Sequence, residues 1–249
     1  MALSAYKHPP ITEAVIGITF ENQIDEGELL SVQEKFATYY PQHQAISNLK
    51  LRVNVDAEKK SKATAAVDEE VGHRRATSDM TQLLVLFPAT LIVSQLAPYP
   101  GWDEFFGRFA RDWKHWHRYM GFRQVKRIGV RYINRIDIPV TGELVEHEEY
   151  LNVFPKVPDT FGPMNAYGVQ TSFHMADIGC NLVLNSAAVP SPLLNHAAFV
   201  IDQDISKEAE PPQSEKDIHA LLNKIRLRKN QIFEACVSNK TRGLFSDVQ

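Results

Sequence analysis

The chain has 249 residues, with 27 Lys plus Arg against 30 Asp plus Glu, so its formal charge is −3. Hydrophobic residues make up 44% and charged residues 23% of the chain. This is an ordinary globular balance, which excludes a disordered chain, a collagen-like repeat and a disulfide scaffold.

The termini, apolar runs and cysteines predict a cytoplasmic protein with no membrane partner. The first residues lack the basic start and apolar stretch of a signal peptide. The longest apolar run, Leu83 to Val93, is interrupted by Pro88 and is shorter than the roughly 20 residues that span a bilayer. Cys180 and Cys236 form no metal-binding spacing, so we expect a reduced pair packed as small apolar side chains.

Hydrophobic periodicity predicts the elements of the first half of the chain in order. Ala14, Ile16, Ile18 and Phe20 share one face and alternate with Glu13, Val15, Gly17, Thr19 and Glu21, as in a half-buried strand. Strands are predicted at 11–21, 51–55, 71–77, 81–87 and 91–96, helices at 25–40 and 102–120, and a polar loop at 58–66.

The helix predicted at 102–120 carries an aromatic stripe. Its members recur at helical spacing and share one face, which we interpret as the main contact with the core. A cage for an aromatic ligand is the alternative. The stripe consists of Trp102, Phe105, Phe106, Phe109, Trp113 and Trp116.

The second half opens with the longest strand pattern of the chain, Val125 to Ile138. One face of this strand is apolar from Ile128 to Ile138, except that Asn134 lies within it. After it come a predicted acidic helix at 144–154, strands at 167–175, 180–186 and 197–205, and a helix at 214–237.

The order of elements predicts an α+β fold. Residues 11–120 and 125–237 share one plan of the type β-α-β-β-β-α, with three or four strands between the two helices of the first half, although they share no convincing residue identity. We expect antiparallel sheet, with helices on one face, in a single unit of 249 residues that is pseudo-duplicated.

A stripe of arginines on the strand at 125–138 is the main candidate site. Arg127, Arg131 and Arg135 recur every four residues, so they point to one side with about 13 Å between neighbours. Guanidinium groups in this arrangement bind phosphates or carboxylates. In a continuous sheet, other strands add polar side chains to the same kind of face, including Glu13, Arg52, His174 and Asp202.

Three interpretations of this stripe remain open. The first is a structural network of cross-strand ion pairs, for example Glu13 with Arg131 or Arg135 with Asp202. The second is a groove for a protein partner or an anionic ligand. The third is acid–base catalysis by Glu13, His174 or an aspartate of that face.

The common catalytic motifs are absent from the sequence. There is no GxGxxG, P-loop, GxSxG or HExxH segment, which disfavours nucleotide-dependent enzymes and serine hydrolases. His115 and His117 lie too far apart around their helix to chelate one metal, so we predict neither a metal nor a cofactor. Basic residues of the last helix, among them Arg226 and Lys229, are interpreted as a solvated face, with an interaction patch as the alternative.

Four segments together resemble a known group of proteins. They are Pro9-Pro10-Ile11-Thr12-Glu13-Ala14-Val15, Leu96-Ala97-Pro98-Tyr99-Pro100-Gly101-Trp102, Gly129-Val130-Arg131-Tyr132-Ile133-Asn134-Arg135-Ile136, and Asn230-Gln231-Ile232-Phe233-Glu234 with Leu244-Phe245. From Tyr6 to Phe245, the chain resembles a sporadically distributed family of conserved hypothetical prokaryotic proteins. The resemblance implies a bacterial or archaeal source and an accessory role in mobile or defence-related loci. It implies no activity and no catalytic residue.

The leading hypothesis is a non-enzymatic binding or regulatory protein. Its arginine-bearing sheet face would hold a protein partner or an anionic ligand, and open sheet edges favour self-association. One alternative is an enzyme acting on a small anionic or nucleotide-like substrate. Another is nucleic-acid binding through residues 59–75 and the basic last helix, although the isoelectric point near 6.3 is well below the value of about 9 typical of such domains.

Overall fold

In the computed structural model, which describes residues 6–55, 63–140, 145–162, 164 and 166–246, nine strands form one antiparallel sheet. The strands are β1 (Ile11–Phe20), β2 (Gln42–Val55), β3 (Ala63–Ala76), β4 (Gln82–Phe87), β5 (Thr90–Leu96), β6 (Val125–Pro139), β7 (Gly168–Met175), β8 (Cys180–Val189) and β9 (His196–Lys207). The helices are α1 (Glu26–Glu34), α2 (Trp102–Met120), α3 (His147–Tyr150), α4 (Glu215–Cys236) and α5 (Asn239–Ser246). Across the sheet the order is β2-β3-β4-β5-β1-β6-β9-β8-β7.

The predicted α+β fold of two similar halves is wrong, although the antiparallel sheet itself is confirmed. β1 pairs with β5 on one side and with β6 on the other, so that Ile16 lies opposite both Val93 and Val130. The hydrogen-bond ladder therefore crosses the expected boundary, because a central strand must satisfy its N–H and C=O groups on both sides. The sheet dominates, and α3 is one turn of four residues where a longer helix was predicted.

Several boundaries differ from the prediction at the β2 edge and at the C-terminus. β2 and β3 each span 14 residues, much more than the predicted strands at 51–55 and 71–77. Much of β2 lacks apolar alternation, because residues 42–49 are exposed on both faces of the strand apart from the half-buried Ile46. Within the predicted loop, residues 58–62 lie outside the described residues and residues 63–66 begin β3. Residue 144, where the predicted acidic helix began, is also outside them, and α5 was not predicted.

The core lies between the sheet and the longer helices. Ile16 and Val130 are buried on the inward face of the two central strands, where the α2 side chains pack. The Phe20 ring stacks on Trp113 and Trp116, with centroid distances of 6.2 and 5.6 Å. The aromatic stripe is therefore confirmed as a core contact, and its first member, Trp102, is also buried.

Local signals set the start of α1 and the end of α2. Asp25 and Glu28 form the predicted capping box at the start of α1. Gly121 follows α2 with a φ of 65°, a conformation that favours glycine. Cys180 and Cys236 are free and buried, as predicted. In the described part of the chain, no helix has the length and apolar character needed to cross a membrane.

Candidate functional site

The arginine stripe lies on the outward face of β6, away from the core, and each of its members has a carboxylate partner. Arg131 binds Asp202 on β9 in a bidentate manner, with both N–O distances at 2.8 Å. The hydrogen bonds and charge of Asp202 raise the pKa of the Arg131 guanidinium. Asn185 on β8 donates to the same carboxylate at 3.0 Å, so Asp202 is held from two neighbouring strands.

The other two arginines are also paired. Arg127 contacts Glu208 at 3.1 Å and Asp204 at 3.4 Å. Arg135 contacts Asp137, two residues along the same strand, at 3.0 Å. The structure therefore contains an ion-pair network, with partners other than those given as examples from the sequence. All three arginines are engaged within the chain.

The remaining predicted site residues are only partly brought together. Glu13 lies on β1 beside β6, where its carboxylate accepts from the Ser94 hydroxyl at 2.6 Å. His174 lies on β7, three strands or about 14 Å from β6, and contacts Asn181 at 3.0 Å. Arg52 lies on β2 at the opposite edge, five strands or about 24 Å from β6. Glu13, Arg131 and Asp202 thus share one region, which His174 and Arg52 do not join.

A separate cavity opens on the helix-covered side of the sheet, with a volume of about 360 Å³. Four parts of the chain enclose it: the segment before β1, the entrance to α2, the inward faces of β6 and β9, and α4. We call it the α4 pocket. Its lining includes Tyr99, Trp102, Asn134, Gln203, Arg226 and Lys229.

Two buried amides on neighbouring strands form the floor of the α4 pocket. Asn134 is 4% exposed and donates to the Ile201 carbonyl at 3.1 Å, while Gln203 is 1% exposed. With its amide oriented to satisfy both neighbours, Gln203 donates to the Lys229 carbonyl at 3.0 Å and accepts from the Phe233 N–H at 3.2 Å. The Lys229 carbonyl and the Phe233 N–H are four residues apart, the spacing of an α-helical hydrogen bond. By binding both groups, Gln203 ties β9 to α4 at Lys229.

Lys229 is the most unusual cation of the pocket. Its Nζ lies 3.7 Å from the centroid of the Tyr132 ring, and the Tyr132 hydroxyl contacts that of Tyr99 at 3.0 Å. No described carboxylate forms an ion pair with Lys229. Burial, together with the nearby charge of Arg226, lowers the pKa of Lys229 to about 7.

The mouth of the pocket adds further positive charge. Arg226 lies 5.7 Å from the Trp102 ring and reaches Asp103 only at 3.4 Å, with the Asp103 side chain 92% exposed. α2 begins here after Gly101, which supplies no side-chain cap, and the first N–H groups of a helix have no acceptor within it. The one carboxylate among the described lining residues, Glu234, already binds Tyr6 at 2.6 Å and Arg242 at 2.7 Å.

Sequence reasoning missed this pocket, although signals for it exist. Asn134 and Gln203 each interrupt an apolar stripe on their strands, and buried amides of this kind need a specific partner. The sequence indicates a solvated face for Arg226 and Lys229, but the structure places both in the lining. The two residues share a helix face, as predicted. Periodicity alone does not show that this face of α4 packs over the sheet.

The four segments that carry the resemblance all contribute to the α4 pocket, through Pro9–Ile11, Tyr99–Trp102, Asn134 and Asn230 with Phe233 and Glu234. Comparison with models of protein families gives no match, and comparison with curated proteins gives none either. The described residues contain no group of three or more His, Cys, Asp or Glu side chains arranged to hold a metal ion. The α4 pocket therefore offers cations, amides and aromatic rings for binding.

Proposed function

We propose that the protein is a binding protein for a small organic anion with an aromatic or apolar body, which it takes up in the α4 pocket. One observation carries this proposal: the pocket contains a lysine that pairs with no carboxylate among the described residues, and an arginine with only a weak, exposed carboxylate partner. The arginines of the sheet face, by contrast, already have partners. We therefore expect the anionic ligand in the α4 pocket, on the opposite side of the sheet from the arginine stripe.

The pocket offers both parts of such a ligand a place. Arg226 and the N–H groups at the start of α2 would bind the anionic group, with Lys229 as a further N–H donor. Tyr99 and Trp102 provide apolar surface for the remainder. A volume of about 360 Å³ falls within the range of small-molecule sites.

The first test uses benzoate and its neutral isostere benzamide as probes, observed by saturation-transfer NMR. We expect transfer to benzoate and binding at least about tenfold weaker for benzamide, because only benzoate compensates the charge of Arg226. Arg226→Ala should weaken benzoate binding by about tenfold. Lys224→Ala is the matched control, because Lys224 is an exposed cation on α4 outside the pocket lining.

Two outcomes would contradict the proposal. Equal binding of benzoate and benzamide would show that charge plays no part. Benzoate binding that is lost equally in Arg226→Ala and Lys224→Ala would indicate a general effect of helix charge rather than a site. Circular dichroism of each variant establishes that the fold is intact before titration.

A second proposed function is the binding of a protein partner or a second copy of the chain through the outward face of the sheet. Val15 and Ile92 are only partly buried on the outward face, beside the paired arginines. Sedimentation velocity over a range of concentrations tests self-association, and combined Arg131→Glu and Arg135→Glu substitutions should abolish it. Association that survives both reversals would exclude this face.

A cytoplasmic location and the accessory role implied by the resemblance remain predictions.

A further inference from the structure

We infer that Lys229 is a carbonyl-reactive amine, and that the α4 pocket takes an anion bearing a ketone or aldehyde, such as an α-keto acid, with which Lys229 forms a reversible imine. This inference rests on the proposed function, since the same pocket must first hold the anionic group. It adds the chemical class of the ligand and a covalent step.

The surroundings of Lys229 favour the neutral amine that such chemistry requires. Tyr132 of β6 lies beneath its Nζ, and Arg226, three residues earlier on α4, lies on the same helix face. The other titratable groups of the pocket are Tyr6, Lys7, Tyr99 and Glu234. Since Glu234 is engaged by Tyr6 and Arg242, no free carboxylate of the lining stabilises the ammonium form of Lys229.

Three other described lysines, Lys240, Lys126 and Lys224, provide a comparison. Lys240 contacts Glu149 at 2.5 Å, and Lys126 contacts Glu21 at 3.5 Å. Lys224 is exposed on α4. In general, a carboxylate partner or full solvation favours the protonated form of a lysine, which is not a nucleophile. Lys229 is half-buried, and no described carboxylate pairs with it.

The spacing of the two cations suits an α-keto acid. Side chains three residues apart on a helix are neighbours, with Cβ atoms about 5–6 Å apart. The carboxylate carbon and the ketone carbon of an α-keto acid are directly bonded. A carboxylate held by Arg226 and the start of α2 would therefore present its carbonyl carbon toward Lys229 Nζ.

The proposed step balances without an oxidant or reductant. The lone pair of Lys229 Nζ attacks the carbonyl carbon and forms a C–N bond, giving a carbinolamine. Its hydroxyl then leaves as water, and the two hydrogens of that water balance those lost from the amine nitrogen. Addition of water reverses the reaction and releases the ligand.

The test traps the imine by reduction. The wild-type protein is incubated near pH 7.5 with phenylpyruvate and sodium cyanoborohydride, and intact-mass spectrometry counts the adducts. Proteolysis and peptide sequencing by mass spectrometry then locate them. We expect one dominant adduct per chain on Lys229, reduced by at least about tenfold in Lys229→Arg and nearly unchanged in Lys224→Ala.

Phenyllactate, which has a hydroxyl in place of the ketone, separates the covalent step from binding. Binding of phenyllactate without a phenylpyruvate adduct would overturn the imine inference and leave the proposed function intact. Absence of binding by either compound would overturn both. Adducts spread over surface lysines would also refute the inference, and peptide mapping of the wild-type chain decides this even if Lys229→Arg fails to fold.

Discussion

Two basic regions of this protein, the arginine stripe of β6 and the α4 pocket, lie on opposite faces of one sheet. They differ in how their positive charges are compensated. On the outward face, Arg131 is 48% exposed in its side chain and yet holds a bidentate partner in Asp202. On the covered face, Lys229 lies over an aromatic ring, and no described carboxylate pairs with it. The more accessible cation is the one that is satisfied within the chain.

This difference separates a structural charge from one available to a ligand. A cation that already has good carboxylate geometry must lose it before binding an external anion, which offsets most of the gain. A desolvated cation without a partner gains from any anion that enters. Internal pairing, more than the density of arginines, therefore indicates where an anion binds.

The largest expected effect tests whether one face is covered and the other open. Ile16 is fully buried on the inward side of β1, while its neighbour Val15 is partly exposed on the outward side. Ile16→Ala should lower the free energy of unfolding by about 3–4 kcal/mol, and Val15→Ala by about 1 kcal/mol or less. Urea denaturation of both variants measures the contrast. Equal losses would indicate that the outward face is also covered in solution.

A second prediction concerns the unpaired lysine. The folded chain lowers the pKa of Lys229 to about 7, so folding disfavours its protonated form. The cost is fully present below pH 7 and disappears as the pH rises toward the unfolded pKa of about 10.4. Lys229→Met should therefore raise the free energy of unfolding at pH 6 by about 2–4 kcal/mol, with the difference shrinking toward pH 10.

Denaturation at several pH values, with Lys224→Met as the matched control, measures this difference. The wild type and both variants keep the other titratable groups around this position, so a pH-dependent difference in the free energy of unfolding reports the loss of Lys229. These groups are Tyr6, Lys7, Tyr99, Tyr132, Arg226 and Glu234. A stability difference between Lys229→Met and wild type that stays constant from pH 6 to pH 10 would contradict an uncompensated charge at this position.

A third, smaller effect is expected for the best ion pair of the outward face. Asp202 has an 8% exposed side chain and accepts from both Arg131 and Asn185. Asp202→Ala should cost about 1–3 kcal/mol, because both donors lose their acceptor. A double-mutant cycle with Arg131→Ala should give a coupling energy of about 1 kcal/mol. Additive losses would show that the pair contributes nothing to stability.

The smallest effect is expected at the end of the stripe. Arg127 and Glu208 are partly exposed, with side-chain exposures of 32% and 59%. Arg127→Ala should change the free energy of unfolding by less than about 0.5 kcal/mol, and 0.5 M salt should remove the change. A loss as large as that of Asp202→Ala would mean that the three arginines act as one network.

Much of the secondary structure could be predicted from the sequence, because each element carries its own periodicity. The bounds of α2, β4, β5 and α4 agree with the predictions within a residue or two, and the aromatic stripe packs in the core as predicted. Edge strand β2 and helix α5 were underestimated or missed because their apolar patterns are weak. The division into halves failed because no local pattern reports which strand lies beside β1.

By itself, the sequence determined which face of each strand is apolar, where the main helices begin and end, and that three arginines point to one side of β6. Only the tertiary structure decided which charges meet. Arg131 and Asp202 are 71 positions apart, and their contact depends on the register between β6 and β9. Lys229 reaches Tyr132 only because α4 folds back over the sheet. Periodicity is a local property of the chain, whereas charge compensation and burial depend on partners brought from distant positions.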